Sequence, residues 1–285
     1  MILVTGSTGN VGSEVCRQLH SEGRPFYALA RNPDAAGKAL PEGTRVRHGD
    51  FDKPQTLFDA CQDIQSLFLI SPASEDMVRH QCAVIDSARQ AGVRHIVKLS
   101  GLGASMDAPA RLPRLHAEIE RHLAASGLDY TIVRPNLFMQ VLLMSASTIK
   151  SDRAIYAPAG DGRISFTDVR DIASVIVEAL ANPHNHRNSS YDITGPEAWS
   201  YGEVANLIGE SINGNVSYVA VSPDQARESM LGGGMSEWIV EAMLELFAIY
   251  RAGYGSAVTE QIREITGLSP TRLPRFIEGH RTAFA

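Results

Sequence analysis

The chain has 285 residues, of which 44% are hydrophobic and 20% charged, as in an ordinary globular protein. Its formal net charge of −6 gives no electrostatic reason to bind nucleic acid or an anionic membrane. No stretch approaches the roughly 20 apolar residues of a membrane span. The N-terminus also lacks the basic leader of a secretory signal. We therefore expect a cytoplasmic monomer or homodimer whose partner is neither nucleic acid nor membrane.

The first half of the chain alternates short apolar runs with longer amphipathic stretches. Several apolar runs are hydrophobic on both faces, as in a parallel sheet covered on both sides. This alternation predicts an α/β protein with a Rossmann-type, doubly wound parallel sheet. The predicted strands lie near 1–5, 25–30, 44–48, 65–70, 94–99 and 128–133, and the predicted helices near 10–22, 54–61, 75–91 and 112–126.

Beyond Pro135 the alternation is less regular. No linker-like composition separates the two halves. We predict a Rossmann domain at 1–150, with 164–195 returning to it, interwoven with a smaller α/β C-terminal substrate lobe that takes most of 151–285. The predicted elements here are helices at 137–149, 168–181 and 201–213, strands at 164–167, 190–193 and 216–221, and a loop at 156–162.

A glycine-rich segment joins the first predicted strand to the first predicted helix. Gly6 permits the tight turn out of the strand, Gly9 lets a pyrophosphate approach the backbone, and Gly12 lets the helix pack closely on the sheet. The helix N-terminus then presents N–H groups to the phosphates. Because the strand and the helix are both present, the motif predicts a dinucleotide site. Its residues are Gly6, Ser7, Thr8, Gly9, Asn10, Val11 and Gly12.

The end of the second strand indicates which dinucleotide is preferred. NAD-specific sites place a carboxylate there for the ribose 2′-hydroxyl. This chain has Arg31 instead, whose planar guanidinium suits a 2′-phosphate. We therefore predict NADP(H), with NAD(H) less favoured; the alternative is a solvated loop arginine.

Two further strand ends contribute candidate cofactor contacts. Asp50 and Phe51 follow the third strand, where Asp50 either accepts from the adenine amino group or caps the helix that starts near Pro54. Ser71 and Pro72 follow the fourth strand and are predicted to line the groove for ribose and pyrophosphate.

Together these motifs resemble a known family. The stretches 1–12, 30–33, 48–51, 126–135 and 166–173 are similar to the atypical short-chain dehydrogenase/reductases of the NmrA-like group. The resemblance is strongest to the bacterial NAD(P)H:quinone oxidoreductase and triphenylmethane reductase type. It implies NADP contacts by the glycine loop, by the strand-end residues, and by the turn Pro135, Asn136, Leu137 and Phe138.

The resemblance also exposes a missing feature. Ordinary members of the superfamily use a Tyr-x-x-x-Lys pair on one helix to pass a proton to a carbonyl. Aligned on Glu120, this chain has Leu112 at the Tyr position and His116 at the Lys position. His116 is either a replacement proton donor or ribose ligand, or a partly exposed helical histidine.

Two more residues are candidates for catalysis. Ser100 matches the catalytic Ser/Thr position of the superfamily and either hydrogen-bonds a substrate carbonyl or caps a turn. Lys98 lies on the same strand face, and either replaces the lost lysine or forms a salt bridge at a helix end. No metal is expected, since His184 and His186 have no evident third ligand.

The leading hypothesis is an NADPH-dependent reductase of a quinone-like or conjugated aromatic, dye-like acceptor. Such acceptors form delocalised or neutralised products, so an incomplete acid–base set suffices. The alternative is a non-catalytic NADP(H)-sensing regulator, which the missing tyrosine would also fit. The missing tyrosine argues against a third option, a sugar-nucleotide epimerase or lyase. The predicted acceptor pocket is apolar and combines Phe138 with Leu102, Met139, Leu142, Tyr156 and Trp238.

Overall fold

A computed structural model describes all 285 residues. Its strands, in chain order, are β1 (Ile2–Val4), β2 (Phe26–Ala30), β3 (Arg45–His48), β4 (Ser66–Leu69), β5 (His95–Leu99), β6 (Asp129–Pro135), β7 (Ala154–Ala157), β8 (Arg163–Ile164), β9 (Ser189–Ile193), β10 (Trp199–Ser200) and β11 (Ser217–Ala220). Seven of them form one sheet in the order β3-β2-β1-β4-β5-β6-β9. The pairs among the first six strands are all parallel. The predicted Rossmann-type sheet is therefore confirmed.

Helices connect these strands. They are α1 (Asn10–Ser21), α2 (Pro33–Ala39), α3 (Pro54–Ala60), α4 (Met77–Gln90), α5 (Arg111–Ala125), α6 (Ala146–Asp152), α7 (Val169–Ala181), α8 (Pro183–His186), α9 (Tyr201–Ser211), α10 (Pro223–Gly232), α11 (Glu237–Arg251), α12 (Gln261–Thr266), α13 (Leu273–Gly279) and α14 (Arg281–Phe284), with a 3₁₀ helix at Met139–Ser145. None of these helices is both long enough and apolar enough to cross a membrane.

The chain forms two compact units. The first unit consists of Met1–Ala108, Leu112–Arg134 and Val169–Asp192, and the second consists of Pro109–Arg111, Pro135–Asp168 and Ile193–Ala285. The predicted role of 151–285 as a substrate lobe stays a prediction.

The first unit is built on the parallel sheet. Every residue of β4 and β5 is buried, which requires cover on both faces of these central strands. Helix α1 presents Val11, Val15 and Leu19 to the interior, the apolar stripe that its sequence spacing predicts. Helices α1 and α7 pack against each other.

The second unit has its own apolar core. Strands β7 and β11 form a parallel pair, and β8 and β10 form an antiparallel pair. Phe166, Tyr201, Phe276 and Phe284 are buried in this core, with the Phe166 and Tyr201 rings 5.9 Å apart edge to face.

Several predicted boundaries were wrong. The helix predicted at 137–149 is a 3₁₀ segment followed by α6, and the loop predicted at 156–162 begins inside β7. The strand predicted at 164–167 is limited to Arg163–Ile164, with a single further bridge at Thr167. Helix α2 was not predicted, although Asn32 caps it by accepting from the Ala35 N–H.

Candidate active site

The candidate cofactor residues of the first unit lie at one edge of the sheet. In a parallel sheet all carboxyl ends face the same edge, and ligands bind there at the point where the strand order reverses. That point lies between β1 and β4. The glycine loop follows β1, and Arg31, Asp50, Ser71 and Ser100 follow β2, β3, β4 and β5.

Two glycines of the loop are required by the protein itself. Gly6 has a φ of +54°, and a Cβ there would lie 2.6 Å from Ile70 Cγ2. A Cβ on Gly12 would lie 2.1 Å from the Gly6 carbonyl oxygen. Both findings agree with the roles predicted for these glycines, a tight turn and close packing of α1.

Gly9 is different, because the protein leaves room for a side chain there. It is exposed, it has an ordinary φ of −84°, and a Cβ would come no closer than 3.4 Å to a protein atom. It is the N-cap of α1, which has no side-chain cap and no acidic residue in its first turn. The first backbone N–H groups of α1 therefore have no side-chain acceptor, and they lie at the positive end of the helix dipole. This cradle fits the pyrophosphate of a dinucleotide.

The other loop residues divide by burial. Thr8 and Asn10 are exposed beside Gly9, whereas Ser7 and Val11 are buried. The Ser7 hydroxyl donates to the Leu29 carbonyl at 3.0 Å, which ties the loop to β2. The side chains of Ser7 and Val11 therefore serve the fold, and only their backbone groups remain for a cofactor.

The Arg31 side chain is available to bind a ligand. It is exposed, immediately follows β2, and forms no hydrogen bond or ion pair within the protein. The neighbouring end of β3 lies close, since the Gly49 N–H donates to the Ala30 carbonyl at 3.1 Å. An unpaired guanidinium at this edge is what a 2′-phosphate site requires.

Asp50 orders its own turn. Its Oδ1 accepts from the Asp52 N–H at 3.1 Å, and its Oδ2 lies 3.6 Å from Lys53 Nζ. Helix α3 has Lys53 as its N-cap without a side-chain cap, so the alternative role of Asp50 as its cap was wrong. The Phe51 ring lies 5.6 Å from the ring of His80.

Ser71 is connected to a residue that the sequence reading missed. Its hydroxyl accepts from Gln81 Nε2 at 3.0 Å and donates to the Pro72 carbonyl at 3.2 Å. Gln81 is buried in α4, and its Oε1 has no hydrogen-bond partner. A buried acceptor without a partner beside Ser71 fits a polar ligand at this edge. The only sequence signal was a polar residue on the apolar face of α4.

Ser100 belongs to a buried ionic network. Its hydroxyl donates to Glu120 Oε1 at 2.5 Å, and the same carboxylate accepts from Arg134 Nη2 at 2.5 Å and from Nε at 3.0 Å. A hydroxyl has one hydrogen, and here it is used on Glu120. The role of Ser100 as a donor to a substrate carbonyl stays a prediction, and it would require the hydroxyl to turn away from Glu120.

Lys98 is fully buried in β5 and contacts His116. Its Nζ lies 3.1 Å from the Leu99 carbonyl and 3.0 Å from His116 Nδ1, so it forms no salt bridge at a helix end. Burial lowers the pKa of Lys98 to about 7, against the opposing effect of Glu120. Burial and the nearby Lys98 hold the pKa of His116 well below its ordinary value. Leu112 and His116 lie one turn apart on α5.

The remaining candidate residues, except Leu102, lie in the second unit. Asn136 is buried, and its Nδ2 donates to Ser165 Oγ and to the Gly255 carbonyl, each at 2.8 Å. Its Oδ1 accepts from the Leu137 N–H. The Asn136 side chain therefore holds the turn after β6 in shape. Pro135 is buried, and Leu137 and Phe138 are partly exposed.

The predicted acceptor-pocket residues differ in exposure. Met139 and Leu142 are 1% exposed and belong to the core of the second unit, so packing accounts for both. Tyr156 is exposed, and its hydroxyl donates to Asp152. The Trp238 ring is partly buried, with the guanidinium of Arg111 5.8 Å from it. Leu102 lies in the first unit and is partly buried.

Comparison with known proteins identifies a family and full-length relatives of this chain. The NmrA-like family model matches residues 1–277. The chain is 38% identical over 284 residues to an NAD(P)H azoreductase of Xenophilus azovorans, covering 100% of this chain and 99% of the relative. It is 32% identical over 288 residues to a (4-alkanoyl-5-oxo-2,5-dihydrofuran-3-yl)methyl phosphate reductase of Streptomyces griseus, covering 100% and 99%.

A solved structure agrees with these matches. An NADPH-dependent quinone oxidoreductase of Escherichia coli, solved in complex with NADPH, superposes with a TM-score of 0.88 at 25% identity, covering 98% of this chain and 99% of the other. The fold and the glycine loop define a Rossmann-type dinucleotide-binding protein. The chain belongs to the NmrA-like family, and the predicted family is confirmed.

Proposed function

We propose that this protein is an NADPH-dependent reductase of conjugated acceptors with quinone or azo groups. The oxidoreductase class and the use of NADP(H), both predicted from the sequence, are confirmed by full-length relatives: an azoreductase, and a quinone oxidoreductase solved with NADPH. The acceptor itself is the finer proposal. It is supported by the 38% identity to the azoreductase.

One observation carries the cofactor assignment. The N-terminus of α1 is open at Gly9, where the protein alone does not require glycine, and an unpaired Arg31 stands at the same sheet edge. The N–H groups at the start of α1 would hold the pyrophosphate, and Arg31 would hold the 2′-phosphate. NADPH, when bound, supplies two electrons and one hydrogen as hydride.

The hydrogen bonding of Ser100, which follows β5, limits the kinds of acceptor that the site can reduce. The Ser100 hydroxyl is engaged by Glu120, so the serine of the usual acid–base set is not free. A simple ketone would develop a localised alkoxide that requires a strong donor. Hydride addition to a quinone spreads the charge over the ring instead, and hydride addition to a cationic dye neutralises its charge. The arrangement therefore favours quinones and cationic dyes over simple ketones.

A sensor without catalysis is the weaker alternative, because the full-length relatives named above are reductases. The test is steady-state oxidation of NADPH and of NADH over a panel of quinones, azo dyes and simple ketones. We expect many turnovers with NADPH on at least one quinone or azo dye, and no turnover on ketones. NADPH binding without turnover on any acceptor would contradict the proposal and restore the sensor.

A further inference from the structure

The contact between Lys98 and His116 determines where the imidazole carries its hydrogen. A lysine ammonium has three N–H donors and no acceptor. Lys98 Nζ must donate to the Leu99 carbonyl, 3.1 Å away, and its second partner is His116 Nδ1 at 3.0 Å. While Lys98 is an ammonium, Nδ1 must accept from it, and the hydrogen of the neutral ring is on Nε2.

The other side of the ring is accessible. His116 is partly exposed, and its Nε2 makes no hydrogen bond within the protein. Because Nε2 has no partner and is not one of the buried atoms without one, it is accessible to solvent. A Cβ built on Gly101 would lie 3.8 Å from Nε2, so this atom borders the loop that follows β5. The Nε2–H group thus opens at the carboxyl edge of the sheet, where β5 ends.

Lys98 is a suitable source of a proton. It is fully buried, and the charged or titratable groups that act on it are Glu120 and His116 on α5, Arg134 on β6 and Cys82 on α4. The net effect brings the pKa of Lys98 to about 7, so near neutral pH it both holds and gives up a proton. His116 alone cannot store that proton, because its pKa is far lower.

We propose that Lys98 and His116 form a proton relay that serves azo acceptors, an inference that rests on the proposed reductase function. Hydride addition to one nitrogen of an N=N bond leaves a negative charge on the other nitrogen. His116 donates its Nε2 hydrogen to that nitrogen while Lys98 passes a hydrogen to Nδ1. The N=N bond becomes HN–NH, His116 ends as the neutral Nδ1–H tautomer, and Lys98 ends as a neutral amine. A proton from solvent then enters at His116 Nε2 while the Nδ1 hydrogen returns to Lys98, which restores both groups.

The relay assigns two separate roles. In this relay His116 would contact the acceptor and so act as the catalytic residue, and Lys98 is a positioning residue that acts through His116. A cationic triarylmethane dye provides the contrast. Its central carbon takes the hydride and becomes neutral, so this reaction needs no proton and should not depend on the relay.

The tautomer can be measured without turnover. Nitrogen NMR of histidine-labelled protein without cofactor should show His116 protonated on Nε2 at a pH below about 7, where Lys98 is charged. Lys98→Met should weaken this preference, because the hydrogen bond that enforces it is lost. A His116 ring protonated on Nδ1 in the wild-type protein would overturn the relay whether or not the protein reduces any acceptor.

The kinetic test compares two acceptors in three variants. Lys98→Met and His116→Gln should each lower kcat for an azo dye by about 10²- to 10⁴-fold, a far greater loss than for a cationic triarylmethane dye. Lys150→Met, at an exposed lysine of α6, is the matched control and should change neither. In the wild type, kcat for the azo dye should fall as pH rises through about 7, where Lys98 loses its proton.

Two outcomes would refute the relay. Equal losses on both acceptors would mean that the variants damage folding or cofactor binding, and unchanged azo reduction would mean that neither residue supplies the proton. If the wild-type protein reduces no acceptor at all, the proposed function fails, while the tautomer measurement still reports on the Lys98–His116 contact.

Discussion

Two glycines of one loop should respond in opposite ways to an added side chain. A Cβ at Gly9 would lie 3.4 Å from its nearest neighbour, the Gly6 carbonyl oxygen, and the backbone there is ordinary extended backbone. Gly9→Val should therefore leave the fold intact. A Cβ at Gly12 would lie 2.1 Å from a backbone oxygen. Gly12→Ala should therefore lower stability by about 1–3 kcal/mol, as overpacking does. At about 2–4 °C per kcal/mol this is a fall in Tm of roughly 2–12 °C.

Cofactor affinity should separate the same variants. Gly9→Val places its branch where the pyrophosphate is expected, and a loss of NADPH affinity of at least about 100-fold, or 2.7 kcal/mol, should follow. Gly37→Ala is the matched control, since it lies in α2 with no atom within 4 Å of the added carbon. It should bind NADPH normally and gain about 0.5–1 kcal/mol.

The assay is thermal unfolding of the protein without cofactor, combined with calorimetric titration of NADPH. The assignment of the loop predicts a normal Tm with lost binding for Gly9→Val, and a lowered Tm for Gly12→Ala. Wild-type affinity in Gly9→Val would refute it. A fall in Tm for Gly9→Val as large as that for Gly12→Ala would refute the claim that the protein itself leaves position 9 open.

Three further predictions concern separate sites. Arg31→Ala should weaken NADPH affinity by about tenfold or more, because a charge-assisted contact worth about 1.5–3 kcal/mol is lost, and should leave NADH affinity unchanged. Equal losses of affinity in the two titrations would show that Arg31 does not bind the 2′-phosphate. The free energy of unfolding should rise with pH between about 7 and 10.5, because unfolded Lys98 holds a proton that the folded form has released. Lys98→Met should flatten that rise, and identical slopes in urea denaturation would contradict it. Asn136→Ala removes the bonds to Ser165, Gly255 and Leu137, and should cost about 1–3 kcal/mol; an unchanged denaturation midpoint would show that the turn holds without them.

The sheet could be predicted because its signals are local. Central strands that are apolar on both faces, and a glycine loop between a strand and a helix, leave few other arrangements. Helix α2 was not predicted, although a capping Asn before Pro, as in Asn32-Pro33, is a sequence signal for a helix start. The 3₁₀ segment at Met139–Ser145 was predicted as α-helix, because apolar spacing does not separate the two helix types.

The candidate site could be predicted only in part. Gly6, Gly9 and Gly12 carry local backbone requirements that are visible in the sequence. The use of the Ser100 hydroxyl could not be foreseen, because its partner Glu120 comes from the next helix. The complete burial of Lys98 could not be predicted either, because lysine is rarely fully buried.

The central claim is that NADPH held by this glycine loop delivers its hydride to a bound acceptor. Transfer of deuterium from NADPH labelled at the reactive position to a cationic triarylmethane dye tests it directly, because the new carbon–deuterium bond does not exchange with water. Mass spectrometry of the reduced dye should show one deuterium per molecule with the wild-type protein, and no reduced dye with Gly9→Val. Reduced dye without deuterium, or labelled dye at the wild-type rate from Gly9→Val, would contradict the account.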